Sequence, residues 1–400
     1  MTGRDATGAA PYAIGFADLD SEVSIDELPV EGELPEWLSG TLIRNGPARY
    51  GVGNGRSLRH WFVDTPNYRS VRDQGRIGYP EFATDPCGSL FSRFFTRFFG
   101  APGVNPVVNI QPFGESAVAV TERPLAVEFD PATLATLRVT GYRDKLSGNV
   151  TTAHPHADPN DNSVINYLLK FGRRSSYQLH RQEAARSDRR LISSVPVDQP
   201  GYMHDGRVRG SYQTEACFVF HHINAWDNED EVVFDLCGYP DASVIDALYL
   251  DALRENRGIP LALPTRFRVQ LASGTVTRET LSDEPLELPN IAYSHHNGRP
   301  YQFGYGAGAR DRRGLNFLDQ LVKLDTPTGA TKSWYQDGCY PSEPVFVPRP
   351  AAVDEDDGVV LSVVLDTNDT TSFLLVLAAG TFAELGSCSR SARNSVRISR

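Results

Sequence analysis

The sequence predicts an all-β protein, and within that class a β-propeller. Short strand-like runs dominate the chain, among them the continuous apolar runs at residues 359–365 and 373–377, which are typical of buried strands. Polar turns separate these runs, and 27 Pro and 34 Gly supply the backbone dihedrals that turns require. Strands do not alternate with helices as they do in a doubly wound parallel sheet. Many antiparallel hairpins in one long chain therefore favour a propeller.

Three segments predict β-hairpins of one local plan, in which a strand, a polar turn and a second strand follow one another. They are residues 127–139, 267–277 and 321–334. In each segment Asp, Pro or Gly supplies the turn, while alternating residues can face a core. The sequence has no strict period, so we expect the repeat to be structural.

Composition and charge narrow the possible partners and location. The hydrophobic fraction of 40% can fill a substantial core, and the net charge is -11. An acidic surface repels phosphate backbones, so we expect no nucleic-acid partner. No leader sequence is evident, and no segment approaches the roughly 18 apolar residues of a membrane span, so we expect a cytoplasmic protein. Scattered cysteines without C-x-x-C spacing indicate reduced thiols.

One segment, at residues 90–99, departs from the strand pattern and predicts a short amphipathic helix. Five phenylalanines recur there at helical spacing: Phe91, Phe94, Phe95, Phe98 and Phe99. Two interpretations stay open. Either the helix packs its phenylalanines on the propeller, or they enter a lipid surface while Arg93 and Arg97 meet the head groups. The second interpretation predicts peripheral contact with a membrane, through which an apolar substrate would enter.

The chain has nine histidines, and three of their contexts are turn-like or lie at strand ends, which suits side chains that meet at one point. These contexts are Ala153-His-Pro-His156, Tyr202-Met-His204 and Phe220-His-His222. Neutral imidazole binds iron, copper, nickel and zinc, so the residue type does not name the metal. Histidines of the core or surface, satisfied by hydrogen bonds, are the alternative at this point.

Several motifs, in this order along residues 34–386, resemble the carotenoid cleavage oxygenases, the family that includes the vertebrate retinoid isomerase. The motifs are Leu38-Ser-Gly-Thr-Leu-Ile-Arg-Asn-Gly-Pro47, Thr152-Ala-His-Pro-His156, Phe220-His-His-Ile-Asn-Ala-Trp226, Arg299-Pro-Tyr-Gln-Phe-Gly-Tyr305, Tyr340-Pro-Ser-Glu-Pro-Val-Phe346 and Glu355-Asp-Asp-Gly358 with the strand that follows. The resemblance implies a seven-bladed propeller with short helical and loop segments over one face. It also implies one Fe(2+) ion, held on the propeller axis by four histidines.

The resemblance assigns three of the four ligands in this chain, motif by motif. His154 matches the first ligand, His204 the second and His221 the third. The second histidine of each doublet varies in the family, so His156 and His222 are expected not to bind the metal.

A ligating imidazole needs its other ring nitrogen oriented, commonly by a carboxylate. The family uses three glutamates for this purpose, and the matching positions here are Glu122, Glu287 and Glu343. Without the resemblance each would be interpreted as an ordinary surface glutamate.

The resemblance fails at the C-terminal end, where the family's fourth ligand lies in a Phe-His-Gly segment. No histidine follows His296, and the match breaks at residues 385–386. Residues 387–400 include 5 Ser and 4 Arg and little that could be buried. We therefore expect an extension at 1–33, a single propeller domain at 34–386 and an atypical tail at 387–400. Losing one ligand should weaken iron binding and stability together.

Two internal gaps are also expected. His204 and His221 lie 17 residues apart, whereas the family places several tens of residues between these ligands. Arg59-His-Trp-Phe62 passes directly into Val63-Asp-Thr-Pro, without the strand that the family has next. Each gap removes strands, so we expect the propeller to be incomplete.

The resemblance implies a dioxygenase that uses iron and dioxygen to split a conjugated carbon-carbon double bond of a carotenoid or apocarotenoid into two carbonyl products. No side-chain general base is needed for that reaction, and the sequence shows no nucleophile-base constellation. A second hypothesis is an inactive or degenerate propeller that binds lipid or carotenoid. A third, a propeller hydrolase with Ca²⁺ or Zn²⁺, predicts carboxylate-rich ligands, which the histidine contexts disfavour.

Overall fold

The protein is represented by a computed structural model, which describes residues 10–19, 25–44, 46, 50, 108–113, 116–121, 124–140, 142–158, 163–171, 173–183, 188–197 and 212–390. Contacts between residues divide the chain into two compact units. The major unit comprises Met1–Ala17, Ser21–Leu42 and Arg209–Arg400. The minor unit comprises Asp18–Asp20 and Ile43–Val208. The predicted domain at 34–386 contains residues of both units, and its limits stay a prediction.

Strands account for most of the secondary structure. In chain order they are β1 (Val30–Gly32), β2 (Asn109–Phe113), β3 (Ser116–Val120), β4 (Ala126–Phe129), β5 (Thr136–Thr140), β6 (Val150–Thr151), β7 (His156–Ala157), β8 (Val164–Lys170), β9 (Ser175–Gln182), β10 (Arg189–Val197), β11 (Phe218–Asn228), β12 (Glu231–Tyr239), β13 (Leu263–Gln270), β14 (Val276–Thr280), β15 (Glu287–Ile291), β16 (Phe303–Gly308), β17 (Gln320–Asp325), β18 (Thr331–Tyr335), β19 (Cys339–Pro341), β20 (Val345–Pro348), β21 (Gly358–Asp366), β22 (Thr371–Ala378) and β23 (Glu384–Arg390).

The helices of the described residues are short. They are a 3-10 helix at Pro11–Phe16, and the α-helices α1 (Ser243–Ala247), α2 (Leu250–Arg254) and α3 (Tyr293–His296). None of them is long and apolar enough to cross a membrane. The helix predicted at residues 90–99 lies outside the described residues, so its phenylalanine stripe stays a prediction.

The strands form five antiparallel sheets within the described part of the chain. The minor unit contains β2-β3-β4-β5 and β10-β9-β8-β6, and in the latter β7 also pairs with β8. The major unit contains β11-β12-β13-β14, β15-β16-β17-β18 and β1-β23-β22-β21-β19, and in the last β20 also pairs with β21. Consecutive strands lie side by side in most of these sheets, which is the meander typical of propeller blades.

The predicted number of seven blades is wrong for the described residues, which form five sheets. The number seven came from the family, whereas a blade forms only where the chain supplies its strands. The expected gap after Phe62 lies outside the described residues, and so do residues 205–211 of the stretch between His204 and His221.

All three predicted hairpins are confirmed, as β4-β5, β13-β14 and β17-β18. Their loops share one geometry with the β22-β23 loop, since in each a residue with a positive φ donates its backbone N–H to the carbonyl oxygen four residues earlier. These residues are Leu134 (57°), Gly274 (72°), Gly329 (71°) and Phe382 (62°). Glycine adopts this conformation at low cost, but two of the four loops place a bulky residue there. The structural repeat is therefore present although the sequence hides it.

The core of the major unit centres on β21 and β22, the two strands that the continuous apolar runs predict. Val360, Leu375 and Leu377 are each 0% exposed. The ring of Tyr305 packs against the same cluster and stacks on Phe346, with ring centroids 5.4 Å apart. Both faces of these strands are covered, which explains their unbroken hydrophobic sequence.

The predicted N-terminal extension contributes β1, which pairs with β23. Gly32 lies opposite Gly386, and a Cβ at Gly386 would lie 2.5 Å from the carbonyl oxygen of Glu31. Only glycine permits this close approach of the two backbones. The predicted boundary at 386/387 falls inside β23, where Cys388 is 3% exposed. Residues 391–400 lie outside the described residues.

The three carboxylates of the Glu355-Asp-Asp motif have structural partners. Glu355 accepts hydrogen bonds of 2.8 to 3.0 Å from two consecutive backbone N–H groups that lead into β16. Asp356 lies 2.5 Å from Nζ of Lys323, a lysine that is 4% exposed. Asp357 accepts a hydrogen bond of 2.9 Å from Nε of Arg349. The motif therefore joins neighbouring strands and compensates a buried cation, because a buried lysine requires a counter-charge.

Candidate metal centre

His221 lies on β11, at a point where that strand is irregular. The register between β11 and β12 shifts between Val219 and His222 and again between His222 and Asn224. Such bulges change the direction of a side chain relative to the sheet, and they are frequent beside active sites. His221 lies within the first of these shifts, so the irregular backbone there determines the direction of its side chain.

Glu287 begins β15 and lies at a second irregularity. The register between β15 and β16 shifts between Glu287 and Asn290, and Leu288 has a φ of 51°, which is unusual for a residue with a side chain. On the facing strand, a Cβ at Gly306 would lie 2.5 Å from Cγ of Leu286 and 2.9 Å from the carbonyl oxygen of Glu287. The glycine therefore lets β16 approach the distorted start of β15.

The two irregular strands bring His221 and Glu287 together. Nδ1 of His221 lies 2.6 Å from Oε2 of Glu287, and the side chains are 21% and 8% exposed. A carboxylate oxygen accepts, so Nδ1 carries the proton and donates it. This tautomer makes Nε2 the nitrogen that can coordinate a metal ion. Oε2 also accepts a hydrogen bond of 2.7 Å from the backbone N–H of Leu288, which fixes the carboxylate.

Two buried groups that can lose a proton, a thiol and a hydroxyl, lie near this pair. Burial raises the pKa of the Cys237 thiol well above its ordinary value, and the nearby Glu287 carboxylate raises it further. Burial likewise raises the pKa of the Tyr239 hydroxyl, with the charge of Glu287 as the next cause. Both groups therefore stay protonated and neutral at physiological pH, so neither adds a negative charge beside His221 and Glu287.

Aromatic rings line the start of β11 beside His221. The Phe218 and Phe220 rings meet edge to face, with centroids 4.8 Å apart. The Phe220 ring meets Tyr239 in the same way at 5.8 Å. These rings form an apolar surface next to the imidazole, and such a surface suits the flat face of a conjugated hydrocarbon.

His154 belongs to the minor unit, in the loop between β6 and β7. Its backbone N–H donates to Oγ1 of Thr152 at 3.0 Å, and Nδ2 of Asn166 donates to the Thr152 carbonyl oxygen at 3.0 Å. The carbonyl oxygen of Ala153 accepts hydrogen bonds from Nδ2 of Asn109 (3.0 Å) and from a glutamine side chain (3.2 Å). Polar side chains thus fix the backbone of this loop.

The remaining predicted site residues have varied placements. His204, Glu122 and the stripe Phe91, Phe94, Phe95, Phe98 and Phe99 lie outside the described residues. Glu343 is exposed, in the loop between β19 and β20. Among the side chains that the structure describes, no group of three or more His, Cys, Asp or Glu could hold a metal ion. The predicted set of three ligands includes His204 and stays a prediction.

Sequence reasoning did not single out a polar cluster that organises the histidine strand. Asp235 is 0% exposed and forms two hydrogen bonds of 2.8 Å with the guanidinium of Arg266. The hydroxyl of Tyr301 donates to the same carboxylate at 2.7 Å, and the Trp226 ring meets Tyr301 edge to face at 5.7 Å. Trp226 and Tyr301 both belong to motifs that carry the resemblance. Their role in the structure is to pack around a buried ion pair.

Asn224, in the Phe220-His-His-Ile-Asn motif, was also missed. It is 6% exposed, and its amide forms hydrogen bonds with the segment that follows β15. Asparagine is depleted in strands, and its position inside a strand-like motif was the available signal.

A comparison with protein families matches the chain to the model described as retinal pigment epithelial membrane protein. The match has three pieces, at residues 16–64, 54–212 and 206–396. The pieces meet at 54–64 and 206–212, and these joins coincide with the two gaps expected after Phe62 and between His204 and His221. Matching as separate pieces is what a chain with internal deletions predicts.

Characterised relatives match along most of their length. Carotenoid isomerooxygenase of Galleria mellonella is 29% identical over 433 residues, covering 84% of each chain. β,β-Carotene 15,15'-dioxygenase of Homo sapiens is 28% identical over 491 residues, covering 90% of this chain and 89% of its own. The chloroplastic carotenoid cleavage dioxygenase 8 homolog A of Oryza sativa subsp. japonica is 31% identical over 457 residues, covering 90% and 82%.

The alignment with the human relative shows how many residues of that relative have no counterpart in this chain. It has 491 positions but uses 90% of the 400 residues of this chain, or about 360, so about 130 positions are filled by the relative alone. A propeller blade takes roughly 40–45 residues. The deficit thus corresponds to about three blades' worth of residues, and the described residues form five sheets.

The fold itself is shared with solved structures. Cobalt-substituted Synechocystis ACO, an apocarotenoid oxygenase, superposes with a TM-score of 0.80 at 21% identity, covering 98% of each chain. An ACO/RPE65 chimera matches equally well, with a TM-score of 0.80. This likeness confirms the predicted all-β propeller. Together with the family match along the chain, it shows that this protein belongs to the retinal pigment epithelial membrane protein family of carotenoid oxygenases.

Proposed function

We propose that the chain is a non-haem iron(II) dioxygenase that cleaves a conjugated double bond of a carotenoid or apocarotenoid to carbonyl products. The observation that carries the proposal is the 2.6 Å contact between Nδ1 of His221 and Glu287. A carboxylate that orients a half-buried imidazole is the usual support of a metal-binding histidine. The relatives described above are named as carotenoid dioxygenases and an isomerooxygenase, and one solved relative is described as cobalt-substituted, which implies a metal site in that protein.

Three residues would hold the iron: His154, His204 and His221. When bound, Fe(II) supplies the one-electron chemistry that activates dioxygen. Neutral imidazoles suit this ion, and the tautomer of His221 fits such a role. We assign to Glu122 and Glu343 the orientation of the other imidazoles, in the way that Glu287 orients His221.

The side chains around His221 prepare the site for an apolar substrate. Phe218, Phe220 and Tyr239 would bind the polyene along its flat face and exclude water from the reacting bond. The raised pKa of Tyr239 and of Cys237 keeps both groups neutral, so neither adds a charge to the surroundings of Glu287. Binding, orientation and exclusion of water are then the contributions of the protein, and no side chain needs to transfer a proton.

A second candidate function is a propeller that binds an apolar polyene without cleaving it. The observation that favours it is the deficit of about 130 alignment positions relative to the human dioxygenase. Missing strands would remove parts of the wall around the site and one expected ligand has no match, whereas the aromatic surface beside His221 is present.

Anaerobic reconstitution distinguishes the two candidates. The purified protein is loaded with Fe(II), its iron content is measured, and β-carotene and apocarotenoids are then supplied with dioxygen. The dioxygenase predicts about one iron per chain and aldehyde or ketone products. The second candidate predicts bound polyene that is recovered intact. A protein that binds neither iron nor polyene contradicts both candidates.

Matched histidine variants control this experiment. His221→Gln removes a proposed ligand, whereas His222→Gln changes the neighbouring histidine that is expected not to bind metal. Iron content should fall in His221→Gln and remain at the wild-type level in His222→Gln. Equal losses in both variants would count against the assignment of His221.

We also propose that the phenylalanine stripe at residues 90–99 is the surface through which substrate enters from a membrane. The supporting argument is chemical, since a carotenoid dissolves in lipid and the stripe combines apolar rings with flanking arginines. Flotation with lipid vesicles tests it, with Phe94→Asp and Phe98→Asp expected to abolish co-flotation. Unchanged flotation of both variants would favour packing of the helix on the propeller.

A further inference from the structure

Asn224 joins the strand of His221 to the segment that follows the strand of Glu287. Its Nδ2 donates to the carbonyl oxygens of His296 and Arg299, at 2.9 Å each. Its Oδ1 accepts from the backbone N–H groups of Ala225 at 2.9 Å and Gly298 at 3.1 Å. An amide side chain has two donor hydrogens and two acceptor sites, so these four bonds use its full capacity.

The position of Asn224 connects the two halves of the proposed metal support. It lies three residues after His221 on β11 and begins the regular part of that strand, directly after the register shifts on both sides of His222. Its partners lie in and after α3, which directly follows β15 and therefore Glu287. Strands β11 and β15 belong to different sheets, so no strand ladder fixes their mutual distance.

The effect of this clamp, the four hydrogen bonds of Asn224, follows from the different exposure of its two sides. Asn224 is 6% exposed, whereas His296 is partly buried and Arg299 is exposed, so water can replace the amide at the two carbonyl oxygens. Without Asn224 the segment after β15 would lose its anchor on β11 and be free to shift. A shift there moves β15, and with it the carboxylate that the imidazole must meet at 2.6 Å.

We propose that Asn224 is a positioning residue, which holds Nδ1 of His221 against Glu287 by clamping β11 to the segment after β15. It touches neither substrate nor metal and acts through the imidazole. For its effect on metal affinity the inference rests on the proposed function, whereas its effect on the hydrogen bond between His221 and Glu287 does not.

The first test follows that hydrogen bond directly in the metal-free protein. In a sample labelled with ¹⁵N-histidine, the Nδ1–H of His221 should give a downfield signal that exchanges slowly with water, assigned by its loss in His221→Gln. Asn224→Ala should speed its exchange at least about tenfold, since the bond to the carboxylate is charge-assisted and depends on close geometry. Asn224→Asp has nearly the same shape and cannot donate to the two carbonyl oxygens, so it should give the same result even where the alanine variant folds poorly.

Asn368→Ala is the matched control, because Nδ2 of Asn368 also donates to a backbone carbonyl, that of Asp337, at 2.9 Å. Asn368 lies in the turn between β21 and β22, away from β11 and β15. The variant Asn368→Ala should leave the His221 signal unchanged. A signal that is as well protected in both Asn224 variants as in Asn368→Ala overturns the proposal.

The second test is a double-mutant cycle on metal affinity, measured by anaerobic titration with Fe(II). Asn224→Ala should weaken binding about tenfold, within the range seen when partners of a metal ligand are changed. In a Glu287→Gln background the same change should have less than about a threefold further effect, because the two residues act through one contact. Independent, additive effects would overturn the proposal.

The two tests separate failure of this inference from failure of the proposed function. If the wild-type chain binds no iron, the proposed function fails, while the exchange of the His221 signal still decides the role of Asn224. If iron binds and Asn224→Ala changes neither the signal nor the affinity, the proposed function stands and the clamp is wrong.

Discussion

The two described histidine sites are held in different ways. In the major unit, His221 is fixed through its ring, by a carboxylate 2.6 Å from Nδ1, on a strand whose register shifts twice. In the minor unit, His154 lies in a loop that is fixed through its backbone, by Thr152 and by amide side chains that bind neighbouring carbonyl oxygens. A carboxylate sets the tautomer and basicity of an imidazole, whereas backbone anchors set only where the loop lies. The sequence motifs around the two residues do not reveal this difference.

The largest expected effect is the loss of unfolding free energy when a buried ion pair is broken, and it should differ between the two units. Asp235 and Arg266 in the major unit have side chains 0% and 10% exposed, and Asp144 and Arg189 in the minor unit 12% and 4%. Asp235→Ala should lower the free energy of unfolding by roughly 3–5 kcal/mol, since it leaves a buried guanidinium without a counter-charge. Asp144→Ala should cost less, because Arg189 keeps its hydrogen bond of 2.9 Å to the carbonyl oxygen of Leu146 and its position 3.7 Å above the Tyr142 ring. Urea unfolding measures both, and a larger loss for Asp144→Ala would contradict the comparison.

A pH effect of similar size is expected in the minor unit. Burial, with a further contribution from the positive charge of Arg189, lowers the pKa of His180 to about 4. The unfolded chain binds this proton more readily, so the stabilisation is complete above the ordinary histidine pKa near 6.5 and is lost as the pH falls towards 4. The shift corresponds to about 3 kcal/mol. Urea midpoints between pH 7 and pH 4.5 measure it, and His180→Gln should flatten that part of the profile. An unchanged profile in the variant would show that carboxylates alone cause the acid sensitivity.

The next effect tests the carboxylate of the major unit. Glu287→Gln keeps the size of the side chain and removes its charge, so Fe(II) affinity should fall about 10- to 100-fold. Glu279→Gln, on the exposed strand β14 of the same unit, is the control and should bind iron as the wild type does. Anaerobic titration measures both. Equal affinities of the two variants would remove the distinction between the two histidine sites.

The smallest effect is expected from the backbone anchor of the minor unit. Thr152→Val removes the hydroxyl that accepts the His154 N–H at 3.0 Å, at a cost of about 0.5–1.5 kcal/mol in unfolding free energy. Because the imidazole itself loses no partner through this change, Fe(II) affinity should fall less than about threefold. A loss as large as that of Glu287→Gln would mean that the loop, and not a carboxylate, decides ligand geometry in both units.

Local patterns predicted local structure well. The hairpins at residues 127–139, 267–277 and 321–334 formed as expected, since turn residues and alternation are properties of neighbouring residues. The apolar runs at 359–365 and 373–377 became the buried strands β21 and β22 for the same reason. The predicted number of seven blades was wrong for the described residues, because it was taken from the family and not from the strands of this chain.

The site was predictable in part. His221 and Glu287 were named from their motifs, and the structure brings them together, although 66 residues separate them in the chain. The role of Asn224 was not predicted, because its hydrogen bonds reach residues more than 70 positions away.

The sequence by itself determined the strand class, the hairpins and the family motifs, because each of these is written in neighbouring residues. Only the tertiary structure decided that Glu287 meets His221, and that Asn224 forms hydrogen bonds with the segment after β15. It also decided that the motif acids Glu355, Asp356 and Asp357 form hydrogen bonds and ion pairs within the sheets. Those contacts join residues that are far apart in sequence. They depend on register shifts and burial, which no local pattern encodes.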